Sequence, residues 1–356
     1  MRVGMLAPVA WRVPPRHYGP WELVVSRLTE GLVARGVDVT LFATADSVTA
    51  ARLSAVCPRP YEEDPAVDAK VAECLHIGAA FQRADELDVL HNHFDFLPLS
   101  YSRLVDTPVV TTIHGFSSER IVDAYRAYDD HVAYVAISEA DRHPDLTYAA
   151  TVHHGIPVAD VPVGDGGTTG QLVFLGRIHP DKGTAEAIEV AQRTRRRLVI
   201  AGIVQDEAYF AAEVEPHLDD ERIRYIGPVA PVQRDKLLGS SAALLHLVNF
   251  DEPFGLAMIE SMACGTPVIA APRGAVPEVV TPGVTGHLVR SIDEAVAAVD
   301  SLGELRRDDC RADVEARFDV GRMVENYLGV YEAVLMNGPT GARADLPAAR
   351  PAAPRR

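Results

Sequence analysis

No stretch of the 356 residues approaches the roughly 18 consecutive apolar positions that a membrane-spanning helix needs. Cysteine is scarce. Cys57, Cys74, Cys264 and Cys310 stand far apart and form no CxxC pair, so structural zinc is not expected and a reduced, cytosolic setting is. Positive charge is in deficit: the formal net charge is −16, which argues against non-specific binding of nucleic acid or of an anionic membrane surface. A local basic pocket for a phosphorylated ligand remains open. No G-x-G-x-x-G follows a predicted strand, which counts against a nicotinamide or flavin dehydrogenase. No short period repeats, so a solenoid is not expected. The opening "MRVGMLAPVAWRVPP" is broken by Arg12 and prolines, and it reads as a first strand and not as a signal peptide.

What is present is the balance of a soluble globular protein, 47% hydrophobic and 24% charged, long enough for two domains. Short β-branched runs alternate with helical patterns. "RVGMLAP" and "VDVTLFA" read as strands around the helix "WELVVSRLTEGLVARG", whose Trp21, Val24, Val25, Leu28 and Leu32 share a face and whose stop is Gly36. A helix near Pro65 to Ala84 and the strands "LDVLH", "PVVTTIH", "HVAYVAIS" and "ATVHH" complete this half. The stretch "IPVADVPVGDGGTTG" breaks the pattern and reads as a linker. The alternation restarts with "QLVFLG", "RLVIAG", "IRYIG", "AALLHLV", "TPVIAA" and "GHLV". Runs apolar on both faces and joined by helices are the mark of buried parallel strands. "DVGRMVENYLGVYEAVL" predicts a closing helix with Met323, Tyr327, Val330, Tyr331 and Val334 on one stripe, and the Pro/Ala/Arg-biased end predicts disorder. The expected organisation is a Rossmann-like domain over 1–157, a linker over 158–170, a second Rossmann-like domain over 171–316, a returning helix over 317–337 and a disordered tail over 338–356. Ligands of open parallel sheets sit beyond the carboxyl ends of the strands, so the motifs there carry the chemistry.

Four such motifs stand out. "LVFLGRIHPDKG" puts Arg177 just after a strand and Lys182 at the next helix start, where cations add unfavourably to the helix dipole unless an anion binds. The alternative is a solvated lysine and an arginine paired to a surface acid. "PPRHYGPWE" offers Gly19, which would let backbone approach a phosphate, or which is an ordinary turn before Pro20 at the first helical position. "VTTIHG" ends a strand on His114, able to donate to a ligand hydroxyl or buffer developing charge. His91 and His93 share a face with each other, and the three histidines are a weak metal candidate because no carboxylate stands at ligand spacing; hydrogen bonding in core or cleft is the favoured role.

The fourth motif is "DEPFGLAMIESMACG". Glu252 stands before a helix expected to start near Phe254, with the N–H groups of Phe254, Gly255 and Leu256 open to an anion or to hydroxyls. Glu260 lies in the second turn among Leu256, Ala257, Met258, Ile259, Met262 and Ala263, where an unpaired carboxylate costs several kcal/mol. It needs a partner, and the paired hydroxyls of a ribose would serve. A favourable helix dipole explains Glu252 tolerably and Glu260 poorly.

These motifs resemble, in order and over the chain to about Leu335, the retaining glycosyltransferases of the GT-B fold in family 4. The most specific is Glu-x7-Glu, Glu252 to Glu260, followed by "RGAVPEVVTPGVTGHLV"; "FLGRIHPDKG", "YGPWELVVSRLTEGLVARGVDVTLFA", "VVTTIHG" and "VAISEADR" match the remaining segments. The resemblance implies two Rossmann-like doubly wound domains facing across a cleft, with a C-terminal helix crossing back to the first. It implies transfer of a hexose from a UDP-, GDP- or dTDP-linked donor to an acceptor hydroxyl, with no cofactor and no metal. It assigns Arg177 and Lys182 to the diphosphate, Gly19 to the same group from the other domain, Glu260 to the ribose and Val229 to the base. Glu252 with the Phe254, Gly255 and Leu256 backbone would hold the sugar, which His114 approaches. Glu252, His114, Arg177 and Lys182 are the expected catalytic residues. Pro20 departs from the family's second loop glycine and removes one N–H. The expected acceptor is a specialised metabolite, or else a lipid-linked or cell-envelope glycan, with weak membrane association only if it is a lipid. Its pocket is expected in loops bearing Trp11, Tyr18, Phe94, Phe96 and Tyr101. A GT-B epimerase and a non-catalytic sugar binder are the rivals.

Overall fold

The computed structural model describes residues 1–166, 170–219 and 221–341. It divides into two compact units: Met1–Gly155 with residues 320–341, and Ile156–Asp319.

The first unit opens with β1 (Arg2–Leu6), α1 (Pro20–Ala34), β2 (Asp38–Phe42), β3 (Arg52–Ser54) and α2 (Ala69–Phe81), then β4 (Val89–Asn92), β5 (Val109–Ile113), β6 (Ala133–Ala136) and β7 (Tyr148–Thr151). All pairings are parallel, in the order β3-β2-β1-β4-β5-β6-β7. The inner strands β4, β5 and β6 are buried at every residue, as their continuous apolar runs require. Pro20 sits at the first helical position of α1, where its missing N–H costs nothing, and Val24, Val25, Leu28 and Leu32 face the core. Helix α2 is shorter than expected because the Asp68 carboxylate accepts from Val71 N–H at 3.0 Å and starts the helix there.

The second unit holds β8 (Leu172–Leu175), α3 (Thr184–Thr194), β9 (Leu198–Ala201), β10 (Ile223–Tyr225), α4 (Pro231–Gly239), β11 (Ala243–His246), α5 (Leu256–Ala263), β12 (Val268–Ala270), β13 (Gly286–Leu288) and α6 (Arg307–Arg317). Its parallel order β10-β9-β8-β11-β12-β13 reverses direction between β8 and β11, the switch point at which doubly wound sheets bind ligands. The expected linker is not free chain. Arg311 donates to Val161 and Val158 carbonyls at 2.6 and 2.7 Å, and Gly164 N–H donates to Cys264 at 3.0 Å, so this segment is fastened along the second unit. Residues 167–169 of that segment, and 342–356 of the expected tail, lie outside the described residues.

Helix α7 (Val320–Asn337) belongs to the first unit. Its predicted stripe is buried throughout. It packs on α1 so closely that a Cβ at Gly31 would lie 2.4 Å from Val324. Tyr331 and Tyr327 reach the sheet, at His91 (2.7 Å) and Thr112 (2.8 Å). No helix among the described residues is long and apolar enough to cross a membrane.

Candidate active site

In the second unit the loops leaving β8 and β11 are tied together at the switch point. Asn249 N–H donates to Asp181 O at 2.7 Å, and its side chain donates to Pro180 O at 3.2 Å. Gly183 turns the chain into α3 with φ 75°, and a Cβ there would lie 1.9 Å from Leu247 O. This closeness brings Lys182 to Glu252: Nζ to Oε2 is 2.7 Å, and Nζ also lies 4.3 Å from the centre of the Phe250 ring. His246 Nε2 stands 3.3 Å from the same oxygen. Ala275, in the "RGAVPEVV" segment, donates its N–H to Glu252 O at 2.8 Å and fixes the backbone. Burial works against charge on Glu252. The His246 contact and Lys182 outweigh it and hold the pKa at about 2, so the carboxylate is ionised.

The sequence argument for an anion at Lys182 assumed an uncompensated cation. Glu252 compensates it, and that premise is corrected. Arg177 does not join this pair; its guanidinium bonds Gln205. The reading of Phe254 is corrected as well. Gly255, with φ 88°, caps a helix that begins at Leu256, and Phe254 turns inward to meet Phe318 edge-on at 5.9 Å. Among the described residues, the N–H groups of Leu256 and Ala257 have no acceptor.

Glu260 is buried, at 6% exposure. Its partner is a residue that sequence reasoning missed. Arg234 of α4 donates to Oε1 at 2.6 Å and meets Asp235 at 2.9 Å. Burial pulls against the charge of Arg234, and Glu260 with Asp235 more than restores it, raising the pKa. A ribose is therefore not required to explain a buried carboxylate at this position. No periodicity links two residues 26 apart on different helices, so the pair carries no sequence signal. Val229 is half-buried in the loop that leads into α4.

In the first unit Gly19 adopts φ 142°, and a Cβ there would lie 2.9 Å from both Glu22 and Pro15. Glu22, also missed, is buried beneath this loop. It accepts from Trp11 N–H at 3.3 Å, and burial pushes its pKa up to about 7. His114 follows β5, stacked on Trp21 at 5.3 Å and 18°. Burial lowers its pKa to about 3, so it is neutral. His91 and His93 are fully buried and bond one another, His114, Thr112 and Tyr331. Among the described residues no group of three His, Cys, Asp or Glu has the geometry to hold a metal ion. Phe94 is buried, whereas Phe96 and Tyr101 are half-buried and pack against the same core. Trp11 and Tyr18 meet edge to face at 6.2 Å.

Two family models match. Residues 22–154 match "Glycosyltransferase Family 4" and residues 163–317 match "Glycosyl transferases group 1". The chain is a glycosyltransferase of the GT-B fold. The phosphatidyl-myo-inositol mannosyltransferase of Mycobacterium leprae is 26% identical to this glycosyltransferase, over 95% of this chain and 98% of the relative. A solved glycosyltransferase involved in Avilamycin A biosynthesis shares the fold with a TM-score of 0.69 at 23% identity, covering 94% of this chain and 98% of that one. An Anabaena protein solved in complex with UDP and glucose gives a TM-score of 0.72 at 17% identity, covering 92% and 98%.

Proposed function

We propose that this glycosyltransferase moves a hexose from a nucleoside diphosphate sugar to an acceptor hydroxyl with retained anomeric configuration. The observation that carries the reading is the Lys182–Glu252 pair at 2.7 Å, a half-buried cation on a buried carboxylate, set at the β8/β11 switch point beside the unfilled amides of Leu256 and Ala257. Lys182 and Arg177 hold the diphosphate. The α5 amides and Glu252 hold the sugar, and Glu260 with Arg234 faces the nucleoside. The bond from the anomeric carbon to the diphosphate oxygen breaks as the acceptor oxygen bonds to that carbon on the same face. The acceptor proton passes to the departing diphosphate oxygen, whose growing charge the two cations stabilise. With that charge met by protein cations, the reading needs neither a metal nor a cofactor. The name of the mannosyltransferase relative supports a hexose, and the UDP and glucose complex of the Anabaena protein supports a nucleotide donor. A small-molecule or lipid-linked acceptor and a cytoplasmic location complete the proposal.

Thermal unfolding with UDP, GDP and dTDP tests it. At a hundredfold excess over Kd the matching nucleotide stabilises by about 2.7 kcal/mol, a shift of several degrees. Lys182→Met should weaken that nucleotide at least tenfold, and Glu252→Gln should lower turnover with little change in nucleotide affinity. No shift with any of the three, or an unchanged affinity in Lys182→Met, ends the reading. Conversion of donor to an epimer without acceptor would assign epimerase chemistry instead.

A further inference from the structure

Glu252 meets two nitrogens on one oxygen, and they come from very different supports. Lys182 Nζ lies 2.7 Å from Oε2, and His246 Nε2 lies 3.3 Å from it. No group among the described residues bonds Oε1. A carboxylate oxygen has two lone pairs, so Oε2 can accept from both nitrogens at once. Lys182 reaches it on a flexible stem from the turn Pro180–Lys182. His246 is instead the last residue of β11, an inner strand of its sheet. It lies opposite Ala270 of β12, and its carbonyl accepts from Ala271 N–H at 3.1 Å. Its side chain is buried. Nε2 stands within reach of Oε2 but off the line of a hydrogen bond, and it has no other partner among the described residues. A buried ring nitrogen left without a bond calls for a reason, and His246 has no part in the chemistry proposed for the site.

Lys182 has two duties. In the unliganded protein it compensates the charge of Glu252. A diphosphate bound beside it carries more negative charge than a carboxylate, so it attracts the ammonium more strongly and loosens its contact with Oε2. Glu252 would then keep its charge in a buried place with its compensation weakened, which is costly. Its backbone is fixed by Ala275, so the carboxylate can respond only by turning. A small turn brings Oε2 onto the line of His246 Nε2–H.

We propose that His246 is the positioning residue that holds Glu252 when a diphosphate draws Lys182 away. Its Nε2–H takes the Oε2 that the ammonium releases, and Oε1 stays open to the sugar. Because β11 is fixed within the sheet, the carboxylate keeps its place while the lysine moves. The inference rests on the proposed function for the diphosphate. The coupling of His246 to Glu252 once Lys182 is removed is a property of the unliganded protein.

Lys182→Met reproduces the loss of the ammonium with no ligand present. His246→Leu removes the N–H, and His246→Gln keeps an N–H near the position of Nε2. Urea denaturation of the full-length protein, followed by circular dichroism, should show His246→Leu lowering the midpoint about twice as far in the Lys182→Met background as in the wild type. His246→Gln should recover most of that difference. A histidine that only fills space costs the same in both backgrounds, so equal losses overturn the inference. Affinity supplies a second cycle. In calorimetric titration with UDP, GDP and dTDP, His246→Leu should weaken whichever nucleotide binds by about tenfold, equivalent to about 1.4 kcal/mol. In the Glu252→Gln background, where no charge needs holding, the same substitution should change affinity by less than about twofold. Equal weakening in the two backgrounds overturns the inference, and this cycle decides if Lys182→Met does not fold. Unequal midpoint losses in a protein that binds none of the three nucleotides support the hold of His246 on Glu252 and remove the diphosphate reading.

Discussion

Glu252 and Glu260 are both buried carboxylates on one short segment, yet each has a different cation. Glu252 has Lys182 from the loop after β8, and Glu260 has Arg234 from α4. Neither acid can lose its partner cheaply, because the remaining charge would stay in a site that water does not reach. Glu260→Ala should cost roughly 3–5 kcal/mol of unfolding free energy, in addition to any loss of nucleotide affinity. Replacing the pair together, as Arg234→Met with Glu260→Leu, should return most of that stability without restoring nucleotide binding. Urea denaturation and calorimetric titration of the three proteins separate the effects. A stable Glu260→Ala protein would show that Arg234 does not depend on this carboxylate. The sequence made the burial of Glu260 legible, through the apolar residues around it. It did not make the compensation legible, because Arg234 lies on a polar helix with no pattern pointing at α5. The ribose was inferred from a deficit that the fold itself fills.

At the level of elements, what sequence pattern reveals depends on how local its cause is. The α1 face, the α7 stripe and the buried strands follow from periodicity, and they stand where it puts them. Boundaries follow from single contacts. Asp68 begins α2 late, and the left-handed Gly255 begins α5 two residues beyond the expected start. The junction before α3 turns on tertiary contact alone. Gly183 and Gly227 share φ 75°, but only Gly183 faces backbone, with Leu247 O at 1.9 Å from a Cβ, while nothing lies within 4 Å at Gly227. Gly227→Ala should therefore cost about 1 kcal/mol, the strain of the backbone conformation. Gly183→Ala should cost about 3 kcal/mol or more, since the β8 and β11 loops must separate, and it should also weaken nucleotide binding by moving Lys182 from Glu252. Denaturation midpoints of the two variants compare the costs directly. Equal losses would mean that the loop contact at Gly183 does not hold the site.

On the scale of the molecule, the two units hold their titratable groups differently, and pH should part them. His76, His91, His93, His114 and His154, all in the first unit, have pKa values lowered by burial, to about 4 for His76 and about 3 for His114. Unfolding lets each return to about 6.5 and bind a proton. Their contribution to stability is complete above pH 6.5 and is lost as pH falls toward the folded values. Glu22 acts in the opposite sense. Its folded pKa of about 7 makes its contribution fade as pH rises from about 4.5 to 7, and Asp95, raised by burial, acts in the same sense, but these are two groups against five. Near pH 5.5 the histidines outnumber the carboxyl groups, so the first unit loses stability as pH falls. In the second unit Glu252 is ionised in both states at that pH, and its contribution is lost only between about 4.5 and 2. Both tryptophans, Trp11 and Trp21, lie in the first unit, so their fluorescence reports its unfolding alone. Urea midpoints followed by tryptophan emission should fall steeply from pH 6.5 to 5, ahead of the loss of total helix signal by circular dichroism. A midpoint independent of pH across that range would mean that these histidines are not held neutral.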